Sequence, residues 1–356
     1  MIPKLSMQRS SIGLYADPHE FSAVQLVRDG EDVQVCAWAI FSRLESHEAA
    51  TDSPIGLGDE RELAWAMSIL NRRGFHGNVL TCTPPVQTCT QHVFELPPAD
   101  SGAPLEQLAR VEVARERRCE SNDFEIGFWE LPKRGRSTET IAVACSKELV
   151  SGMINSAHDA ELEVAGIDLP ELAIVRGVKE HLQGVDESGA RPIHAVLHVG
   201  WDHSIAIVTL SDRLVYVRRV PHGASSAWKN AVERYGMSEK GARAVIGDFE
   251  LDEGAEQIEK IRVGCWTTLG KQLASELDVA FAYVSHSYRM APLGKIVLVG
   301  YGANNSTLHG QIDELLGMPI VDGTPGDVAQ AMPPEKVTQL GARLGYAYGL
   351  AARFDG

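Results

Sequence analysis

No stretch of this 356-residue chain approaches the roughly eighteen uninterrupted apolar residues that a spanning helix needs, so no transmembrane segment is expected. Basic charge is short as well. Lys and Arg number 33 against 48 Asp and Glu, and a net charge of −15 argues against wrapping nucleic acid, which needs a clustered basic footprint. Cysteine is scarce: six residues at 36, 82, 89, 119, 145 and 265, with no C-x-x-C pair. Neither a disulfide framework nor a zinc site is expected, and most of these thiols read as small buried hydrophobes in a reducing compartment. The N-terminal MIPKLSMQRSS has no apolar core followed by a small-residue cleavage site. No signal peptide is expected, and the chain reads as cytoplasmic.

Several chemistry-bearing motifs are missing too. Gly270-Lys271 is followed by Gln272 and Gly294-Lys295 by Ile296, so there is no Walker loop. There is no G-x-S-x-G, and Ser204 after Asp202-His203 is no triad without geometry to support it. H-E-x-x-H is absent. His194 and His198 sit four residues apart in one strand, about 13 Å, too far to share an ion.

What is present is an ordinary globular composition, 44% hydrophobic and 23% charged, in a length that suits two domains. Residues 12–41 read as three strands, with Arg28-Asp29-Gly30-Glu31 as a hairpin signal. Leu63, Ala66, Met67 and Leu70 have helical spacing, closed by Gly74. Residues 88–149 read as strand, helix, strand, strand, a small α+β module whose basic loop Lys133-Arg134-Gly135-Arg136 suits a solvated hairpin tip or an acidic partner. QGVDESGARP is the best linker. Beyond it come strands with turns at Gly200 and Asp212, then helices, then strand–glycine turn–helix–strand around Gly300, and a small-residue C-terminal helix, GARLGYAYGLAARF, that reads as packing. Both halves run strand meander, helix, strand, helix. That is the plan of an actin-like ATPase fold, with a doubly wound α/β enzyme as the alternative.

One glycine motif carries a ligand reading by itself. Gly300-Tyr301-Gly302 follows the strand IVLV and precedes a helix, with Asp322 twenty residues beyond Gly302. That spacing suits a dinucleotide site, although Asn305 replaces the third glycine.

The order of elements and three short stretches resemble the type IV pilus assembly protein PilM family, actin-like relatives of the division protein FtsA, from about Ile12 to Phe354. The resemblance implies an α/β, duplicated actin-like fold. Its first subdomain would be residues 9–87 and 150–184, its inserted α+β module 88–149, and its second subdomain 185–356 with a helical insertion at about 225–290. The family's first phosphate loop, Asp-x-Gly-Ser before a strand carrying Lys, falls on Tyr15, Asp17 and Ser22. Its second, Asp-x-Gly, falls on His198-Val199-Gly200-Trp201-Asp202. The downstream glycine pair falls on Gly223-Ala224, and the adenosine loop on Gly300-Tyr301-Gly302.

If ATP or ADP with Mg²⁺ binds, the resemblance assigns Gly200, Asp202, Gly223, Gly300 and Gly302 to it. The departures point away from hydrolysis. Tyr15 and His198 remove two carboxylates that a hard cation would use, and Asp17 sets negative charge where phosphate belongs. Trp201 fills a turn that should leave amides open, and Asp202 is the one candidate to restore a metal contact. The expected function is a non-catalytic scaffold of a pilus or related secretion-type platform. It would be peripheral at the inner membrane and bind the cytoplasmic tail of a PilN-like partner in a groove of the first subdomain near the module. A working ATPase or sugar-kinase-like enzyme and a dinucleotide-dependent enzyme remain the alternatives.

Overall fold

The strand-turn-strand pattern of the first forty residues forms a meander in the computed structural model, which describes residues 8–30, 32–44, 56–132, 139–184, 189–246, 255–289 and 291–353. The basic loop at 133–136 lies outside the described residues. Strands β1 (Gln8–Arg9), β2 (Ile12–Ala16), β3 (Glu20–Asp29) and β4 (Asp32–Ser42) are followed by helix α1 (Glu60–Arg72) and β5 (Val79–Cys82). The start of α1 is set by Asp59, whose carboxylate accepts from the Glu62 amide at 2.8 Å, with Glu60 and Glu62 in the first turn. Leu63, Ala66, Met67 and Leu70 then face the sheet.

The next segment builds its own sheet from β6 (Cys89–Glu95), β7 (Phe124–Glu130) and β8 (Glu139–Ser146), with α2 (Leu105–Arg117) between β6 and β7. Strand β8 is central, so β6 and β7 are both edges. The chain returns through α3 (Lys147–Asp159), β9 (Glu163–Ile167), α4 (Pro170–Gly177) and α5 (Lys179–Leu182).

The second half opens on β10 (Ile193–Val199), β11 (Ser204–Leu210) and β12 (Arg213–Val220). Helices α6 (Ala224–Glu233), α7 (Glu239–Ile246) and the 33-residue α8 (Ala255–Ser287) follow. Then come β13 (Leu293–Gly300), α9 (Ser306–Leu316) and β14 (Ile320–Asp322), and finally α10 (Gly326–Ala331), α11 (Pro334–Leu340) and α12 (Gly345–Ala351). The small-residue C-terminal stretch is therefore not one helix. A 3-10 turn at Gly341–Leu344 separates α11 from α12, with Gly341 pressed against Thr324.

The two large sheets have one topology. The first runs β4-β3-β2-β5-β9 and the second β12-β11-β10-β13-β14, each an antiparallel meander joined to two parallel strands. Strand β1 continues the line of β2 along β3. The outer face of the second sheet packs under α8 and α9 through Trp266, Leu269, Leu273 and Leu277. The inner faces meet α4 and α12: Ile174 and Tyr346 lie against Val196 and Val297, while Leu344, Ala347 and Ala351 lie against Val24 and Leu26. Helix α12 thus joins both halves, and the cleft between them opens at the ends of β2 and β10.

Candidate functional site

Each large sheet presents its first hairpin turn to the cleft, and the two turns face one another. The first is Asp17-Pro18-His19 between β2 and β3. An anion-binding turn would leave its amides open. Here the Asp17 carboxylate takes them: Oδ1 accepts from the His19 amide at 2.7 Å and the Glu20 amide at 2.9 Å. Oδ2 accepts from the Tyr301 hydroxyl at 2.8 Å, across the cleft. Burial, and then the neighbouring Glu20 carboxylate, push the Asp17 pKa up to about 7 against these three donated bonds.

The second turn, Gly200-Trp201-Asp202-His203, is also satisfied internally. The Gly200 amide donates to the His203 carbonyl at 3.1 Å. The first amides of α6 donate inward, Ala224 to the Gly200 carbonyl at 3.0 Å and Ser225 to the Trp201 carbonyl at 2.8 Å. That approach fixes Gly223, where an added Cβ would sit 2.3 Å from the Trp201 oxygen. The Trp201 indole is buried edge-on to His19 with ring centres 4.1 Å apart, and it meets the Tyr301 ring at 5.7 Å. Arg343 lies 4.7 Å over the Tyr301 ring and pairs with Glu20. Deeper in, Tyr15 stacks on Tyr346 at 4.3 Å and meets His198 at 5.7 Å. Burial alone pulls the His198 pKa down to about 3, so that imidazole is neutral.

These side chains divide the cleft. Between the turns, Tyr15, Asp17, His198, Gly200 and Asp202 line a cavity of about 50 Å³. On the other side of Trp201 and Tyr301 lies a chamber of about 330 Å³, walled by Gly302, Asn304, Arg243, Leu340 and Arg343. The sequence-predicted residues therefore converge on one cleft: Gly200, Asp202 and Gly223 at the second turn, Gly300 at the end of β13 beside it, and Gly302 on the far chamber. Gly302, at φ +68°, leaves its Cβ position to the Trp266 ring, 2.5 Å away. Asp322 stands apart, with its carboxylate accepting from Thr324 at 2.8 Å. A polyphosphate does not fit between the two turns in this arrangement. The carboxylate of Asp17 already holds the His19 and Glu20 amides that an anion at this turn would need. No local sequence signal marks Arg343, which reaches the cleft only through the 3-10 turn before α12.

A second concavity, of about 660 Å³, lies between the small sheet and the first large sheet. Its apolar walls include Ile126, Phe128, Val143, Ile154, Val164 and Leu169, with Ile154 43% exposed. Two sheet edges line it, β7 and β9. Leu131 donates to the Glu139 carbonyl at 2.8 Å and Lys147 to the Asp123 carbonyl at 2.9 Å, so odd-numbered residues of β7 face β8 and even-numbered ones face outward. The outward Phe124 carbonyl is taken by Arg110 at 2.8 Å, which leaves the backbone of Ile126 and Phe128 at the open edge. One end of the groove is charged: Asp168 pairs with Arg176 at 2.7 Å and lies 3.9 Å from Arg353. The sequence placed no residue in this groove by pattern, because its walls come from several separated segments.

The sequence model described as type IV pilus assembly protein PilM matches residues 121–354. The chain belongs to this family. Among solved structures, a PilM-PilN type IV pilus biogenesis complex aligns with a TM-score of 0.76 at 16% identity, covering 97% of this chain and 98% of that one. The ethanolamine utilization protein EutJ from Carboxydothermus hydrogenoformans aligns at 0.51 and 13% identity, covering 98% and 92%. Comparison with curated proteins finds no match. These likenesses establish the actin-like fold that the PilM resemblance implied. Among the described residues of this PilM family member, no helix is long and apolar enough to cross a membrane.

Proposed function

We propose that this chain is a non-catalytic, actin-like scaffold of a type IV pilus assembly platform. It works on the cytoplasmic side of the inner membrane, where its groove receives the extended cytoplasmic tail of a PilN-like partner. In this reading residues 9–87 and 150–184 form the first subdomain, 88–149 the inserted module and 185–356 the second subdomain. The observation that carries the proposal is the groove: an apolar trough between two sheet edges, with the Ile126 and Phe128 backbone groups at the open edge of β7. An extended peptide adds there as a fourth strand, its backbone pairing with β7 and its alternate side chains entering the trough. Family membership and the likeness to a PilM-PilN complex support a pilus partner as the occupant. The non-catalytic part is supported by the cleft, where the Asp17 carboxylate takes up the amides of the first turn and Trp201 and Tyr301 pack across the gap.

The test is a titration of a fluorescently labelled peptide, the N-terminal cytoplasmic tail of the PilN-like protein, against the full chain. Ile154→Glu places a charge in the trough at a half-exposed position that folding tolerates. It should weaken binding at least tenfold, about 1.4 kcal/mol. An unchanged affinity sinks the assignment of the groove. A parallel thermal-shift titration with ATP and ADP, each with and without Mg²⁺, should leave the melting point unmoved. A Mg²⁺-dependent rise of several degrees would restore the enzyme reading.

A further inference from the structure

Strand β8 turns its odd-numbered backbone groups toward β7, so its even-numbered ones bond to β6. Cys89 of β6 lies directly opposite Cys145 of β8 and is therefore in a pair without ladder hydrogen bonds. In keeping with this, the Cys89 carbonyl is free of the ladder and accepts from Arg219. Pairs of this class bring their Cα atoms to about 4.5 Å with side chains on one face, within the separation a disulfide spans. Both thiols are 6% exposed and share one small apolar cluster, and Cys145 is part of the groove wall. Thr88 Oγ1 lies 3.7 Å from the Cys145 sulfur.

We propose that Cys89 and Cys145 are a reversible dithiol–disulfide site, oxidised by a low-molecular-weight disulfide that enters through the groove, and that an occupied groove shields it. The shielding clause rests on the groove being the tail-docking surface; the disulfide clause does not. The two thiols have distinct roles. Cys145 lines the groove, whereas Cys89 is not part of its wall and its thiol donates to the Pro85 carbonyl at 3.7 Å. Cys145 is therefore the thiol that meets the incoming disulfide, and it attacks as the thiolate. It displaces one thiolate from the small disulfide RSSR and forms a mixed disulfide. Cys89 then gives up its proton and attacks the Cys145 sulfur, expelling the second thiolate. Two protons and two electrons leave the pair, and RSSR becomes two RSH. In a reducing compartment such a bond is transient and regulatory rather than structural.

The experiment treats the full chain with oxidised glutathione, blocks free thiols by alkylation and maps non-reduced proteolytic peptides by mass spectrometry. The expected product is a Cys89–Cys145 linked peptide two hydrogens lighter than its parts and cleaved by dithiothreitol. It should be lost in Cys89→Ser and kept in Cys36→Ser, where only an exposed thiol is removed. Both cysteines alkylated, or a glutathione adduct persisting on Cys145 in the wild-type chain, overturns the disulfide without recourse to any variant. Repeating the reaction with the labelled tail peptide at ten times its dissociation constant should slow linkage about elevenfold by mass action. Linkage that forms at an unchanged rate while the peptide is bound leaves the disulfide standing and refutes docking over Cys145. Absent linkage with intact peptide binding does the reverse.

Discussion

Asp17 supplies the sharpest check on the cleft, because its charge has been moved from water to a site built from its own turn. Replacing it by Asn keeps an oxygen for the His19 and Glu20 amides and removes the ionisable group. In the unfolded chain this carboxyl titrates near 3.8, and in the folded chain at about 7, raised by burial first and Glu20 second. The folded state therefore holds the proton more tightly. Its contribution to stability is complete below the unfolded value, falls as pH rises between the two and is gone above about 7. Between pH 5 and pH 8 the wild-type chain should lose about 3 kcal/mol from this group, about two pH units' worth at 1.36 kcal/mol each.

The Asp17→Asn variant has no such contribution to lose. Its melting point relative to wild type should therefore climb by about 5 °C across that range, at roughly 2 °C per kcal/mol for a chain this size. Differential scanning calorimetry at half-unit steps, with both proteins in the same buffers, cancels every other titrating group to first order. A difference constant to within about 1 °C would mean that Asp17 stays ionised with an ordinary affinity for protons. The account of its carboxylate as a buried occupant of the turn, held there against its own desolvation, would then be wrong.

Two further substitutions test the frame around the cleft. An added Cβ at Gly349 of α12 would lie 1.8 Å from the Ala173 carbonyl oxygen of α4, a clash with backbone that no rotamer relieves. Gly349→Ala should cost about 3 kcal/mol or more and lower the melting point by about 6 °C, whereas Gly152→Ala in α3, with open space at its Cβ, should raise it slightly. Arg43 and Glu62 form a buried two-bond pair at 2.9 and 2.5 Å, and Arg43 also donates to the Asp17 carbonyl at 3.0 Å. Arg43→Met leaves Glu62 buried without that cation, so urea unfolding should report a loss of about 3–5 kcal/mol, most of it recovered in the Arg43→Met, Glu62→Leu double variant.

The fold was readable because its signals are local. The two meanders, the capped amphipathic α1 and the strand–turn–helix at Gly300 each declare themselves within a dozen residues or so, and their repetition in the same order declares the duplication. The cleft was readable in part. Tyr15, Asp17, His198 and Trp201 could be placed at the turns by resemblance, and their departures from the family's motif argued against hydrolysis while leaving nucleotide binding open. Their partners were not readable. Tyr301 reaches Asp17 across 284 positions, and Arg343 pairs with Glu20 across 323, contacts that leave no mark in spacing. The groove was least readable of all, since Ile126, Ile154, Val164 and Leu169 obey strand or helix patterns that say nothing of what lies beyond each element.

The two sites meet at one residue. Arg176 Nη1 donates to Asp168 at the charged end of the groove and, at 2.7 Å, to the Gly349 carbonyl of α12. Helix α12 packs against both large sheets, so the end of the groove is fastened to the element that joins the two halves. In a working nucleotide-driven switch such a link transmits closure, because the ligand favours one of two arrangements of the halves. In this structure the two halves are also bridged by side chains: the Asp17–Tyr301 bond, the Glu20–Arg343 pair and the Trp201 contact with His19. On the scaffold reading proposed above, these fixed bridges stand in for a ligand, and a groove anchored to them holds a tail without a nucleotide signal.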